Sequence, residues 1–191
     1  MANELYPVFL KANKLQILVV GGGFVGLEKM SFLLKSSPKA MITLVSLEIL
    51  PELQLLINNH KQVIFVKKAF ESSDLSNKDL VIAATSIKSL NVEIQQLAKE
   101  KRILINVADT PELCDFYLGG VVTKGDLKIA ISTNGQSPTL AKRIREMLEE
   151  AIPENINDLL ENLNDLRKTL KGDFESKVRQ LNEITKTWNS K

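Results

Sequence analysis

Residues 15–26 read Leu-Gln-Ile-Leu-Val-Val-Gly-Gly-Gly-Phe-Val-Gly, an apolar run closed by Gly21, Gly23 and Gly26 at the spacing G-x-G-x-x-G. The run before the glycines has strand character, and residues 24–34 follow in helical period, so the chain must open with a strand, a tight turn and a helix. In such a turn the first glycine permits the sharp bend. The second lets the backbone approach a pyrophosphate, and the third lets the helix pack against the strand. The phosphates then sit at a helix N-terminus, where unpaired N–H groups and the helix dipole favour anions.

The next hundred residues alternate short apolar runs with longer amphipathic ones, the pattern of βαβ units around a parallel sheet. Strands are expected at 17–20, 42–45, 63–66, 80–84 and 103–106, and helices at 25–34, 51–59 and 90–101. Several strands end in small or polar residues, Gly21, Ser46, Thr85 and Asn106, which gather at the carboxyl edge where open α/β sheets bind ligands. The acidic residue that would meet a cofactor ribose is expected just past the second strand, and Glu48 is the nearest acid there. Beyond Asn106 the pattern changes to a hairpin around Lys124-Gly125-Asp126, then a polar turn, 132–137. Ser137 is placed to cap a helix over 138–151 with Pro138 at its first position. Two further helices are expected at 156–170 and 174–188, split by Gly172-Asp173. The fold class is therefore α/β: a Rossmann-like parallel sheet over 1–112, a small α+β segment over 113–151 and a helical module over 152–191.

Composition excludes several function classes. With a formal net charge of +2, the chain of 191 residues has no charge excess suited to nucleic acid. No run reaches the roughly 20 apolar residues that span a bilayer. The start, Met-Ala-Asn-Glu-Leu-Tyr-Pro, lacks the basic stretch and apolar core of a secretory signal, so a cytoplasmic protein is expected. One cysteine, Cys114, excludes an internal disulfide framework and is read as a small buried apolar residue. With one histidine, His60, no His/Cys metal-ligand cluster can form, and His60 is read as a helix-end residue.

Two places carry candidate chemistry. Asp109 follows the fifth strand in Asn106-Val107-Ala108-Asp109-Thr110-Pro111, where a buried carboxylate can act as a general base or the aspartate can cap the turn before Pro111. The turn 132–137 offers hydroxyls, a glycine and a helix N-terminus, followed by Lys142, Arg143 and Arg145. This set suits carboxylates or phosphates, and equally a capped helix with solvated cations.

Taken together, Tyr6-Pro7-Val8-Phe9-Leu10, Gly21-Gly22-Gly23-Phe24-Val25, Ile82-Ala83-Ala84-Thr85 with Asn91, Asn106-Val107-Ala108-Asp109, Cys114-Asp115-Phe116 and the turn from Ser132 to Pro138 resemble one family. It is the siroheme synthase N-terminal region, the precorrin-2 dehydrogenases with or without sirohydrochlorin ferrochelatase activity. The resemblance runs over about residues 5–150. It implies NAD-dependent oxidation of precorrin-2 to sirohydrochlorin in siroheme biosynthesis, with ferrous iron insertion in bifunctional members. It implies a homodimer in which the segment after the nucleotide domain exchanges between subunits. By the same resemblance Asp109 matches the catalytic aspartate, and NAD contacts fall to Gly21, Gly23, Phe24, Val25, Gly26, Ser46, Glu48, Thr85 and Asn91. Ser132, Asn134, Ser137 and Arg143 face a tetrapyrrole bearing eight carboxylates. The chain departs from the family's usual alanine at Gly26, arginine at Glu28 and proline at Gly119-Gly120; the departures at Glu28 and Gly119-Gly120 also suit a non-catalytic NAD- or tetrapyrrole-binding regulator.

Overall fold

The apolar runs form strands because β-branched and aliphatic residues dominate them and turn residues bound them. A computed structural model describes residues 3–186. In it β1 (Gln16–Val20), β2 (Met41–Ser46), β3 (Val63–Lys67), β4 (Leu80–Ala83) and β5 (Leu104–Val107) make one sheet in the order β3-β2-β1-β4-β5. All four pairings are parallel. Helices α1 (Phe24–Ser36), α2 (Pro51–Asn58) and α3 (Lys88–Glu100) make three of the crossovers, and a short turn at Ser72–Leu75 stands in the fourth. Strand order reverses between β1 and β4, which opens a crevice at their carboxyl ends. The fifth strand begins at Leu104 because the Ile103 N–H still closes α3, donating to the Ala98 carbonyl at 2.9 Å.

The side chains of the central strands β1, β2 and β4 alternate between two apolar layers. Ile17, Val19, Ile42, Leu44, Leu80 and Ile82 pack with Met30 and Leu34 of α1 and Leu53 and Ile57 of α2. Leu18, Val20, Val45, Val81, Ala83, Ile105 and Val107 pack with Leu75 and with Ile94 and Ala98 of α3. Burial on both faces explains why β1 and β4 read as continuous apolar runs. Each large aliphatic side chain so buried contributes about 1.5–3 kcal/mol.

Contacts divide the chain into two units. The first runs to Gly119 and includes Asn134–Gln136; the second comprises Gly120–Thr133 and the residues from Ser137 onward. In the second, β6 (Gly120–Lys124) and β7 (Leu127–Ile131) form an antiparallel hairpin, followed by α4 (Pro138–Ala151), α5 (Ile156–Thr169) and α6 (Phe174–Thr185). Lys124 on β6 pairs with Glu154 ahead of α5, and Asn157 accepts from the Asp126 N–H at the hairpin turn. The part of the last expected helix beyond 186, including Trp188, lies outside the described residues. No described helix is long and apolar enough to cross a membrane.

Candidate functional site

The glycine turn is built as the spacing requires. Gly21 has φ +115°, a left-handed backbone that favours glycine, and a Cβ on it would collide with the Ala84 carbonyl at the end of β4. At Gly26 a Cβ would strike the Gly21 carbonyl, so α1 lies directly on the turn. Gly22 is crowded too, by the Glu48 carbonyl and Ile49, while the Leu50 N–H donates to the Gly22 carbonyl at 3.0 Å. Gly23 differs: nothing lies within 4 Å of its Cβ position. The first helical hydrogen bond runs from the Leu27 N–H to the Gly23 carbonyl at 2.9 Å, so the amides of Phe24, Val25 and Gly26 come before the ladder starts. The first turn of α1 carries no acidic residue. An open face, early amides and no competing negative charge fit a pyrophosphate. Phe24 is exposed at this end of α1, while Val25 packs on the core. Glu28 is answered by Lys29 at 3.1 Å.

The neighbouring strand ends complete the edge. Ser46 ends β2, and its hydroxyl donates to the Glu48 carbonyl at 2.6 Å, which fixes the loop that reaches Gly22. The Glu48 side chain is exposed. After β4, Asn91 is buried, and its Oδ1 accepts from the Thr85 hydroxyl at 2.6 Å and the Thr85 N–H at 3.3 Å. Its Nδ2 donates to the Thr85 carbonyl at 3.0 Å, so Asn91 clasps the Thr85 backbone in place.

Asp109 follows β5 at the same carboxyl edge, but its carboxylate is exposed, which corrects the expectation of a buried group. Its φ is +57°, and the residue that precedes the short turn Pro111–Leu113 is Thr110, so Asp109 does not cap it. Aspartate is among the few residues besides glycine that tolerate this conformation, at a cost of about 1–3 kcal/mol. No side-chain hydrogen bond or ion pair engages the Asp109 carboxylate among the described residues. Cys114, in turn, is half-buried and is more than apolar filling. Its Sγ accepts from the Val107 N–H at 3.2 Å and from Asn106 Nδ2 at 3.5 Å, and its S–H faces the carbonyls of Val107 at 3.2 Å and Thr110 at 3.4 Å. Burial pushes the thiol above its ordinary range, which keeps the S–H proton in place. Asn106, itself buried, also donates to the Phe116 carbonyl at 2.8 Å. The sequence marked Asn106 as a strand-end residue at the carboxyl edge and Cys114 as part of a family motif, but it did not show that the two side chains meet. His60 sits past α2 as expected, with Nδ1 2.9 Å from the Leu56 carbonyl.

In the second unit Ser137 caps α4, its Oγ accepting from the Leu140 N–H at 3.1 Å. Thr133 ties the turn: its Oγ1 accepts from the Ser137 N–H and donates to the Ser137 carbonyl, both at 3.1 Å. Arg143 is exposed and bonded to Glu146 at 2.8 Å, and Arg145 holds Glu149 at 2.7 Å. Exposed pairs of this kind are worth about 0.3–0.5 kcal/mol, so a carboxylate-rich ligand competes for Arg143 at little cost. Ser132 is exposed. Asn134, at φ +54°, is with Asp109 one of four described non-glycine residues of left-handed backbone.

Residues 8–120 match a family described as "Putative NAD(P)-binding", and residues 124–151 match one described as "Sirohaem biosynthesis protein central". A siroheme synthase of Pseudoalteromonas translucida is 40% identical over 177 residues, 93% of this chain and 35% of the relative. One of Vesicomyosocius okutanii is 34% identical over 168 residues, 88% of this chain and 35% of the relative. The chain thus spans about a third of the length of these curated relatives. The solved structure of SirC, a precorrin-2 dehydrogenase, superposes with a TM-score of 0.74 at 27% identity, covering 94% of this chain and 89% of that one.

Proposed function

Because this chain belongs to the siroheme synthase family through its NAD(P)-binding region, we propose that it oxidises precorrin-2 to sirohydrochlorin with NAD as acceptor. The observation that carries this reading is the likeness to a precorrin-2 dehydrogenase along 94% of the chain. The open face over Gly23 at the start of α1 supports it, because that is where a dinucleotide's phosphates need room.

NAD, when bound, supplies the hydride acceptor. The chain's residues do the rest. The amides of Phe24, Val25 and Gly26 hold the pyrophosphate. Ser46 and Glu48 lie where the ribose is met, and Asn91 keeps the Thr85 loop shaped along the nicotinamide side. Asp109 takes up the proton that leaves the macrocycle with the hydride; its exposed, unpartnered carboxylate is available for that. Ser132, Asn134, Ser137 and Arg143 meet the substrate's carboxylates. Positioning is the largest contribution, since well-oriented partners gain about 7–11 kcal/mol of barrier reduction. The test is the appearance of NADH absorbance when the protein meets NAD and enzymatically made precorrin-2. Binding of both without NADH formation overturns the enzyme reading in favour of a regulatory binder.

Ferrous iron insertion is the second reading, favoured by the name siroheme synthase that the curated relatives share. In it the tetrapyrrole nitrogens receive the metal as substrate. Siroheme formation from sirohydrochlorin and ferrous iron, in excess of a protein-free control, tests it. We assign the working form to a cytoplasmic homodimer. In the second unit Val122 is the one buried apolar residue among those described, while Leu140, Met147 and Phe174 are exposed. Light scattering is expected to give about twice the chain mass of 21.3 kDa, and a monomer at working concentration refutes this assignment.

A further inference from the structure

The turn that carries Asp109 is held by side chains that the proposed chemistry does not itself use. Val107 ends β5, and Asp109 follows two residues later with a left-handed backbone. The flanks of this turn, Val107 and Thr110, both meet one atom, the Sγ of Cys114. Val107 meets it through both its N–H and its carbonyl, at 3.2 Å each, and Thr110 through its carbonyl at 3.4 Å. The sulfur is in turn fixed by Asn106, whose Nδ2 also reaches the Phe116 carbonyl at 2.8 Å. Asp115 adds an anchor next door: its N–H donates to the Ile105 carbonyl at 2.8 Å, and its Oδ2 accepts from the Ile105 N–H at 3.0 Å. Residues 114–116 are thereby strapped along β5, and the strap grips the Asp109 turn from both ends. Asp109 contributes no side-chain bond of its own to this arrangement.

From this geometry we infer that Asn106 and Cys114 are positioning residues for Asp109, bracing its turn so that the carboxylate stays aimed at the reacting substrate. The inference rests on Asp109 being the proton acceptor. A left-handed aspartate relaxes readily once its flanks are released, and a shift of about 1 Å at a reacting group is enough to cost on the order of 100-fold in rate. A serine at 114 keeps a donor and acceptor where the thiol stood, whereas an alanine keeps neither.

The experiment compares Cys114→Ala, Cys114→Ser, Asn106→Ala, Asp109→Ala and the double variant Cys114→Ala/Asp109→Ala in the full chain, by NADH formation from precorrin-2. The expected result is a fall in kcat of at least about tenfold for Cys114→Ala and Asn106→Ala. KM for NAD should not change, Cys114→Ser should recover most of the rate, and the double variant should be no slower than Asp109→Ala alone. Normal kcat in Cys114→Ala beside an inactive Asp109→Ala overturns the brace and leaves Asp109 in its role. So does a further loss in the double variant that equals the loss in the single one, because the cysteine then acts independently of Asp109. Normal turnover in Asp109→Ala overturns the reading of Asp109 and the brace together. If Cys114→Ala does not fold, Cys114→Ser and Asn106→Ala decide: an unchanged kcat in Asn106→Ala rejects the brace.

Discussion

The two units of this chain are stabilised in opposite ways. Among the described residues, the first places all the buried apolar residues but one in two layers about a five-stranded sheet. Among its described residues the second has Val122 as its one buried apolar residue, and α4, α5 and α6 bury no side chain fully. Its helices are held instead by caps, as at Ser137 and Asp173, and by exposed ion pairs such as Lys168 with Asp165. A sheet covered on both faces is self-sufficient. Amphipathic helices on a two-stranded hairpin are not, because three or more strands or further packing are needed for independent stability. The first unit can therefore carry a precise turn such as that of Asp109, and the second depends on whatever covers its apolar side.

Four measurements break or sharpen that contrast. The largest effect belongs to Asp109→Ala, which should lower precorrin-2 turnover by about 100- to 10,000-fold while calorimetry still detects NAD binding. Near-normal rates would remove catalysis from the first unit's edge. Next, Leu44→Ala in the buried sheet should cost about 2–5 kcal/mol in denaturant unfolding. The matching change in the second unit, Met147→Ala, should stay within about 0.5 kcal/mol in dilute protein. Its cost should grow as protein concentration rises if a second copy covers that face. Equal, concentration-independent losses at the two positions would erase the contrast. Ser137→Ala should cost about 1 kcal/mol, visible as weaker amide-exchange protection in the first turn of α4. The smallest effect is a pH dependence. Burial raises the Cys114 thiol above its ordinary 9.0, so the folded state keeps the proton longer than the unfolded chain. The stability this gives is complete below pH 9.0 and is lost as pH rises through the raised value. Unfolding curves of wild type and Cys114→Ser should therefore diverge in slope only above about pH 9.

What could be read from the sequence is what local physics decides. The strand runs, the Gly21–Gly26 spacing and the Ser137-Pro138 start of α4 depend on residues a few positions apart, and the structure follows them closely. The tertiary features were not legible. The crowding at Gly22 comes from the loop after β2, more than twenty residues away, and nothing in G-x-G-x-x-G marks the intervening position as closed. Asp109 was open between a buried base and a turn cap, and the structure gives neither: its backbone is left-handed and its carboxylate is exposed. Cys114 read as filler because a thiol is nearly apolar. Its bonds to Val107 and Thr110 arise only once the segment after β5 folds back along that strand.

The glycine turn also says where selection can act. At 21 and 22 the neighbouring backbone leaves no room for a side chain, so any descendant that keeps this turn must keep those residues small. At Gly23 the protein makes no such demand: its backbone there is extended at φ −83°, and the space beside it is open. On the function proposed above, the demand at that one position comes from the guest rather than the host. Gly23→Ala should leave the empty protein's melting behaviour intact and weaken NAD alone. In a lineage that stops using the cofactor, position 23 is where the sequence should drift first.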